Sequence, residues 1–401
     1  MSRTAAKPRK LNKGRPRTKG RFRERSSSPS YYDYSLLAVV IILISFGLIM
    51  LYSASAYEAA NDFYIQDDMF YFRKQAIISA GAVLFALVVS QINYHISIRL
   101  APLAYLAAFV LMAMVRFTPF GVTVNGARRW LRIGIQFQPS ELAKIAIILI
   151  MPYMIMRIGK KLNTVRGVLL LLFFGFMQAM AAYLFTENLS TAVIIFGICG
   201  AVIFLAHPKT APFVTAVVIS FLLMLGGLFL LNRYVTSSNS FRMRRILAWL
   251  QPENNLNSGG YQVLQGLYAI GSGGFFGKGL GNSTQKLATI PEAQNDMIFS
   301  IICEELGLFG AILVLVLFAY LLYRLLFIAQ NAPDLYGTLA ASGIMAHVAL
   351  QVILNISVVL NVIPTTGVTL PFVSYGGTSV LFLMYEIGLA LNISKNIRFE
   401  E

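Results

Sequence analysis

Long apolar runs recur along the chain and are separated by short polar segments. A helix needs about 20 mostly apolar residues to cross the hydrocarbon core of a bilayer. The pattern predicts ten such helices, over residues 34–54, 76–93, 98–115, 139–157, 167–185, 190–206, 211–232, 297–323, 338–360 and 377–394. We therefore expect an all-α polytopic membrane protein.

The composition agrees with this interpretation. The 401 residues are 57% hydrophobic and 12% charged, and the mean hydropathy is +0.67. Soluble domains carry about 25% charged residues, so a soluble fold of this length would lack the charge to cover its surface. The composition excludes an ordinary cytosolic enzyme and a disordered chain, and no segment predicts a second, soluble domain.

The net charge of +16 is concentrated at the N-terminus. Residues 1–30 hold eleven of the 33 Lys and Arg residues but only one of the 17 acidic residues. We expect a disordered basic tail there, followed by a membrane domain over residues 31–398. Nucleic-acid binding would explain such a tail, but a membrane span follows at once. We therefore favour a cytoplasmic tail that orients the first span, without a nucleic-acid partner.

A cytoplasmic tail and ten spans place both termini in the cytoplasm. The inner loops then carry basic residues, as the positive-inside rule requires: Arg99, Arg157, Lys160, Lys161, Arg166, Lys209, Arg324, Lys395 and Arg398. The predicted outer loops are 55–75, 116–138, 186–189, 233–296 and 361–376. The longest of them, 233–296, precedes the eighth span and is extracytoplasmic in this topology.

The outer loops also carry cations that this rule does not require. They are Arg73, Lys74, Arg116, Arg128, Arg129, Arg132, Arg242, Arg244, Arg245, Lys278 and Lys286. A ligand with phosphate groups at the outer surface would explain them, and so would contact with lipid headgroups. Composition alone leaves both explanations open.

Two charged residues open the fourth predicted span, in the segment Ser140-Glu141-Leu142-Ala143-Lys144. Glu141 and Lys144 are three residues apart, so they share a helix face and can pair. A charge within a span costs roughly 2.5–3.5 kcal/mol, and such residues usually face a polar interior. They could line a functional site or join two helices.

The loop before this span contains the segment Asn125-Gly126-Ala127-Arg128-Arg129-Trp130. Asn-Gly is a turn signal, and Trp130 fits the aromatic belt at a membrane interface. Arg128 and Arg129 could clamp an anion or anchor the loop at the interface.

The long outer loop is rich in glycine between residues 271 and 281. Glycine lets the backbone approach a ligand closely, but the spacing is not that of a nucleotide-binding loop. Asp296 follows, in the segment Pro291-Glu292-Ala293-Gln294-Asn295-Asp296. On physical grounds alone a helix N-cap is its favoured role, and the alternative is a partly desolvated general base beside basic loops.

Glu304 and Glu305 lie deeper in the same span, so at least one of them should face the protein interior. Before the last span, the segment 367–379 contains Pro371 and the pair Gly376-Gly377. Irregular backbone at membrane depth is tolerated only where it is enclosed by protein or lines a cavity. The segment therefore predicts a cavity lining, with a tight turn and helix start as the simpler alternative.

Five of these segments, in this order, resemble the SEDS family (shape, elongation, division and sporulation), the group that contains FtsW, RodA and SpoVE. They are Asn125–Leu131, Gln138–Lys144, Gly260–Lys286, Pro291–Gly307 and Pro364–Ser379. With the ten-span layout, the resemblance covers nearly all of residues 31–398. It implies a peptidoglycan glycosyltransferase that polymerises lipid II, a disaccharide-pentapeptide on undecaprenyl pyrophosphate, at the outer face of the bacterial cytoplasmic membrane.

The resemblance also implies roles for particular residues. The family's catalytic Asp falls on Asp296, and its SELAK pair, which lines a central cavity, falls on Glu141 and Lys144. The candidates for substrate binding are Glu141, Lys144, Arg128, Arg129, Arg244, Arg245, Lys286, Ser374, Gly376 and Gly377.

The family's partner is a class B penicillin-binding protein, a single-span transpeptidase, and other membrane proteins of cell division are further expected partners. The long tail and the stretch Arg242-Met243-Arg244-Arg245 favour the division or sporulation branch, and hence a location at the division septum.

Two positions depart from the family's pattern. Gln294-Asn295 stands where the family usually has His-Thr, so the hydrogen bonding around Asp296 must differ. Thr186-Glu187-Asn188 stands where Gln-Pro-Asp is usual. We therefore assign no role to Asn188, although Glu187 could substitute for the family's Asp.

The family's donor is an α-linked glycosyl pyrophosphate and its product bond is β, which implies a single displacement with a general base. Asp296 would deprotonate the 4-hydroxyl of the acceptor. The outer cations, alone or with Mg²⁺ or Mn²⁺, would stabilise the departing pyrophosphate, and no organic cofactor is expected. Two other functions remain open: a lipid II flippase, and a scaffold that only recruits the transpeptidase.

Overall fold

The structure is a computed structural model that describes residues 31–124, 127–234, 241–256, 259–287, 290–291 and 293–398. The predicted disordered tail, residues 1–30, lies outside these ranges. So do Asn125 and Gly126, the predicted turn, although the strands on either side of them pair with each other.

The described residues are mainly helical, in twelve α-helices. Their bounds are α1 Tyr34–Asn61, α2 Phe70–Val89, α3 His95–Phe117, α4 Pro139–Ile158, α5 Val165–Thr186, α6 Leu189–Ala206, α7 Ala211–Tyr234, α8 Phe241–Leu250, α9 Gly260–Gly273, α10 Ile298–Asn331, α11 Leu335–Val359 and α12 Ser379–Lys395. Eight of them are long and apolar enough to cross a membrane. The other two predicted spans coincide with α7 and α12. The polytopic helical fold is thus confirmed, whereas the count of ten spans stays a prediction.

Three elements in the loops are not predicted by the apolar pattern. A small antiparallel sheet joins α3 to α4, with β1 Gly121–Val124, β2 Ala127–Ile133 and β3 Ile135–Phe137 in that order. The long loop before α10 contains α8 and α9. These elements are too short to produce a hydrophobic run of the length that marks a membrane span.

Successive membrane helices alternate in direction, so their connections gather at two ends of the bundle. We call them the Asp296 end and the Asp33 end. The connections 62–69, 118–138, 187–188 and 360–378 lie at the Asp296 end. They all fall within or next to the predicted outer loops, and the membrane topology itself stays a prediction.

Buried polar contacts fasten the Asp33 end. Asp33 caps α1 by accepting a hydrogen bond from Leu36 N at 2.9 Å, and Arg324 Nη2 of α10 lies 2.8 Å from its Oδ2. Asn392 of α12 donates to Ser90 O at 2.7 Å and accepts from Tyr94 N at 2.8 Å. Single side chains therefore join the ends of helices that are distant in sequence.

Helix α10 is interrupted at Gly307, whose φ is 66° and ψ −164°. In a regular helix the carbonyls of Glu304 and Glu305 would accept from the amides of Leu308 and Phe309. Here the backbone of the residues after α9 forms hydrogen bonds with both of these carbonyls and both of these amides. The bonds are Lys278 N to Glu304 O (2.9 Å), Gly279 N to Glu305 O (2.9 Å), Leu308 N to Gly274 O (3.0 Å) and Phe309 N to Phe275 O (3.1 Å).

The glycines of this stretch allow that approach. A Cβ on Gly273 would lie 1.9 Å from Cys303 O, and one on Gly277, whose φ is +78°, would lie 2.2 Å from Glu305 O. The close approach that the sequence predicts is therefore made to the backbone of α10. An approach of this stretch to a ligand stays a prediction.

Both glutamates before the kink are fully buried, which confirms that at least one faces the interior. Lys278 Nζ lies 2.6 Å from Glu304 Oε1, and Lys286 Nζ lies 2.8 Å from Glu305 Oε1. Ser53 Oγ of α1 donates to the Glu305 carboxylate at 2.7 Å. A buried charge is tolerated when it is paired and hydrogen-bonded, so these contacts hold the segment 274–286 against α10.

We predict that Gly277→Ala destabilises the protein by about 3 kcal/mol, because the new methyl group meets the Glu305 carbonyl and φ is positive. The matched control is Gly271→Ala, since a Cβ at Gly271 in α9 has nothing within 4 Å. This control should be roughly 0.5–1 kcal/mol more stable than the wild type. Thermal unfolding in detergent measures both, and equal stability of the two variants would refute the proposed packing.

Candidate functional site

Asp296 lies half-buried in the turn that leads into α10. The N-cap of α10 is the next residue, Met297, and it makes no side-chain capping bond. Asp296 therefore does not occupy the N-cap position that physical reasoning favours. Gln262 of α9 donates to Asp296 Oδ1 at 3.4 Å, so the long loop contributes a neighbour to the carboxylate.

One bridging side chain and one direct backbone hydrogen bond join this turn to residues 361–378, which we call the re-entrant segment. Asn355 Nδ2 of α11 donates to Asp296 O at 2.8 Å and to Val368 O at 2.7 Å. Tyr375 N donates to Gln294 O at 2.9 Å. The backbone that carries Asp296 is thus fixed to the re-entrant segment on two sides.

The re-entrant segment has no regular secondary structure, and side chains from three helices satisfy its carbonyls. The donors are Trp249 Nε1 to Asn361 O (2.9 Å), Arg245 Nη1 to Thr365 O (3.3 Å), Ser190 Oγ to Thr366 O (2.8 Å), Asn355 Nδ2 to Val368 O (2.7 Å) and Gln351 Nε2 to Thr369 O (3.1 Å). The predicted irregular backbone is confirmed.

The middle of the re-entrant segment is enclosed by protein. Leu370, Phe372 and Val373 are at most 4% exposed. Gly47 of α1 packs so closely that a Cβ there would lie 2.6 Å from Val373 Cα. The irregular backbone is thus shielded from lipid, as a segment at membrane depth must be.

Three candidate ligand-binding residues lie in this segment, and each of them already contacts another group of the protein. Ser374 Oγ accepts a hydrogen bond from Leu370 N at 2.8 Å and closes a turn. Gly377 N donates to Gln75 Oε1 at 3.3 Å, and a Cβ on Gly376 would lie 2.2 Å from Ser379 Oγ. Ligand binding by Ser374, Gly376 and Gly377 stays a prediction.

Glu141 and Lys144 form the predicted ion pair, with Lys144 Nζ 2.9 Å from Glu141 Oε2. The Lys144 side chain is 3% exposed, and its Nζ also donates to Gln351 Oε1 at 3.4 Å. Gln351 in turn donates to Thr369 O. The pair therefore reaches the re-entrant segment through one glutamine, so it joins two helices and borders the candidate site.

Arg245 is an outer cation that interacts electrostatically with Asp296. Burial lowers the pKa of its guanidinium, and attraction to the Asp296 carboxylate opposes that shift. Its position in α8 brings a positive charge to the carboxylate. Arg244 precedes it in the same helix, but its side chain lies outside the described part of the chain, as does that of Arg242.

Two other predicted substrate-binding cations, Arg128 and Lys286, contact protein groups. Arg128 Nη2 donates to Thr118 O at the end of α3, where a cation complements the helix dipole. Arg129 is half-buried in the same strand, β2. Lys286 pairs with Glu305 and donates to Ser53 Oγ at 3.0 Å. Their role in binding a substrate stays a prediction.

The departure at Asn188 has a local explanation. Asn188 Oδ1 accepts from Thr191 N at 3.0 Å and caps α6, and Asn and Asp are equally good N-caps. Glu187 adopts a left-handed conformation with φ 50° and pairs with Arg116 Nη1 at 3.4 Å. Asn188 therefore preserves the cap that an Asp would make. At the other departure, Gln294 is buried and its Oε1 accepts no hydrogen bond within the described residues.

Sequence reasoning missed Gln351 and Asn355. They are polar residues one helical turn apart in the mainly apolar span 338–360, and residues four apart share a helix face. Polar side chains within a span usually face the bundle interior. That spacing is the signal that could have identified them.

Comparisons with known proteins agree with this architecture. The family model for cell cycle proteins of the FtsW, RodA and SpoVE type matches residues 34–398. The chain is 37% identical over 378 residues to Stage V sporulation protein E of Bacillus subtilis, covering 92% of this chain and 98% of that protein. It is 35% identical over 381 residues to the probable peptidoglycan glycosyltransferase FtsW of Trichlorobacter lovleyi, with coverage of 92% and 94%.

Two solved structures are similar over nearly their whole length. One comes from a study of the structural coordination of polymerization and crosslinking by a peptidoglycan synthase complex. Its TM-score is 0.73 at 27% identity, with 92% of this chain and 99% of that chain covered. The other is the rod shape determining protein RodA of Thermus thermophilus, with a TM-score of 0.62 at 25% identity and coverage of 92% and 98%.

We predict that Lys144→Met lowers the free energy of unfolding by about 3–5 kcal/mol, because it leaves the buried Glu141 carboxylate without its cation. The double variant Lys144→Met/Glu141→Gln removes both charges and should regain most of that loss. Thermal unfolding of both variants in detergent provides the comparison. A double variant that is as unstable as the single one would show that the pair is not closed in the folded protein.

Proposed function

Because this chain belongs to the FtsW, RodA and SpoVE family of cell cycle proteins, we propose that it is a peptidoglycan glycosyltransferase that polymerises lipid II. The main supporting observation is the half-buried Asp296, which lies within electrostatic reach of Arg245 in a turn fixed to the re-entrant segment. A fixed carboxylate beside a cation suits a reaction that removes a proton and releases an anion. The names of the similar proteins support the same activity.

In the proposed reaction the acceptor's 4-hydroxyl oxygen attacks C1 of the donor sugar, and its proton passes to the Asp296 carboxylate. The bond between C1 and the pyrophosphate oxygen breaks, and its electron pair stays on the pyrophosphate. The attack occurs on the face opposite the leaving group, so an α-linked donor gives a β-linked product. Arg245 is a cation suited to stabilise the negative charge that develops on the pyrophosphate.

We propose that a divalent cation, Mg²⁺ or Mn²⁺, would enter the site together with the substrate. Among the described residues no group of three or more His, Cys, Asp or Glu side chains could hold a metal ion. Two side chains of the Asp296 turn carry hard oxygen atoms that could contribute to such a site, the Asp296 carboxylate and the buried Gln294 Oε1. They fit an ion held mainly by substrate phosphates, as is usual for Mg²⁺, and such an ion would neutralise pyrophosphate charge.

The proposed location is the bacterial cytoplasmic membrane at the division septum, with Asp296 on the extracytoplasmic face. The proposed partner is a class B penicillin-binding protein transpeptidase, together with other division membrane proteins. The similar chain from a complex that coordinates polymerization and crosslinking supports a transpeptidase partner. A lipid II flippase remains the second candidate, since the buried Glu141–Lys144 pair within the bundle would also suit a transporter.

We predict that Asp296→Asn lowers the rate of lipid II polymerisation by about 10²–10⁴-fold, because an amide cannot accept the proton. Asp68→Asn is the matched control, since Asp68 is an acidic residue of the 62–69 connection and should leave the rate unchanged. The assay follows glycan chain length with purified protein in detergent, with and without the partner transpeptidase. Thermal unfolding verifies that both variants fold.

The product distinguishes the alternatives. Glycan chains formed in detergent, where there is no membrane to cross, identify an enzyme. Lipid II movement across vesicles without polymer would identify a flippase. A folded Asp296→Asn variant with normal polymerisation would contradict the role of Asp296, and an Asp296→Ala strain that still divides would favour the scaffold.

A further inference from the structure

We infer that Asn355 is a positioning residue for glycosyl transfer, which holds the Asp296 turn at a fixed distance from the re-entrant segment. The inference rests on the proposed function, because it assigns Asn355 to the same reaction. Asn355 would act through Asp296 and would not contact the substrate.

The side-chain amide of Asn355 donates hydrogen bonds to two irregular backbone segments, the Asp296 turn and the re-entrant segment. Its side chain is fully buried in α11, and Nδ2 lies 2.8 Å from Asp296 O and 2.7 Å from Val368 O. Neither carbonyl belongs to a helix or a strand. The two hydrogens of one nitrogen therefore set the spacing between the candidate base and the segment opposite it.

The two carbonyl acceptors around residue 355 are matched better by a side-chain amide than by a hydroxyl or a carboxylate. An amide nitrogen carries two donors in a plane, whereas a hydroxyl carries one and a carboxylate carries none. Among uncharged side chains, only Asn and Gln can therefore donate to both buried carbonyls from one nitrogen. A buried acceptor that is left without a donor is destabilising, so a substitution would let one of the two backbones move.

Gln351, one turn earlier on α11, provides a natural comparison. Its Nε2 donates to Thr369 O, and its Oε1 accepts from Lys144 Nζ. Gln351 thus supports the re-entrant segment, but none of its described bonds reaches the Asp296 turn. If the spacing to Asp296 matters for the reaction, Asn355 should affect turnover more than Gln351 does.

The expected effect is on kcat. A misplacement of about 1 Å can cost 10²-fold in rate, and the donors of Asn355 face protein carbonyls, so substrate affinity should change little. Asn355→Leu keeps the approximate shape of the side chain and removes both donors. We expect it to lower kcat by about 100-fold and to leave KM within about threefold.

The test compares four variants by lipid II polymerisation kinetics and thermal unfolding in detergent. Gln351→Leu should lower kcat less than Asn355→Leu. Asn392→Leu is the control for loss of a buried amide, because the Asn392 side chain donates one backbone bond and accepts another at the Asp33 end; its kcat should stay within about threefold. Asn355→Ser keeps one donor and should fall between Asn355→Leu and the wild type, and it serves as the readout if the leucine variant does not fold.

The inference is overturned if a folded Asn355 variant keeps kcat within about threefold of the wild type, or if Asn392→Leu loses as much turnover. Failure of the proposed function gives a different pattern. In that case the wild type forms no glycan, or Asp296→Asn polymerises normally. An inactive Asp296→Asn protein together with a normal Asn355→Leu protein would overturn the role of Asn355 alone.

Discussion

A peptide group inside an apolar bundle must find a hydrogen-bond partner within the protein, and this requirement shapes the Asp296 end of the molecule. Helix α10 breaks at Gly307, and residues 361–378 form no helix. At the first break the backbone of 274–279 takes up the freed amides and carbonyls. At the second, side chains of α6, α8 and α11 bond to the carbonyls. Each irregular region is thus tolerated because another part of the chain forms hydrogen bonds with its backbone groups.

One of the two irregular regions contacts the turn that carries Asp296: the re-entrant segment bonds to it through Asn355 and Tyr375. The kink at Gly307 lies in α10, the helix that this turn precedes. Polar residues within the spans support the irregular backbone. Gln351 and Asn355 donate hydrogen bonds to its carbonyls, and Lys144 donates to Gln351. A carboxylate held in this way is oriented before any substrate arrives, and preorganised groups of this kind are the basis of enzymatic rate enhancement.

The sequence predicts the spans and the loops that connect them, because their apolar length is set by the bilayer. It also predicts the Glu141–Lys144 pair, the burial of at least one of Glu304 and Glu305, and the irregular segment before α12. It does not predict that Gly273 and Gly277 pack against the backbone of α10, and it does not predict the hydrogen-bond partners of Lys278 and Asn355. Those contacts join residues that are distant along the chain, Lys278 with Glu304 and Asn355 with Val368 and Asp296. Hydrophobic periodicity carries no information about such pairs.

Amide hydrogen exchange, measured on the purified protein, tests most directly whether the irregular regions are held by internal hydrogen bonds. The informative amides are those of Lys278, Gly279, Leu308, Phe309 and Tyr375, which all donate to backbone carbonyls across irregular segments. Exchange requires local opening, so these amides should exchange as slowly as those in the middle of α11. Exchange as fast as in the 62–69 connection would show that the Asp296 end is not held as described.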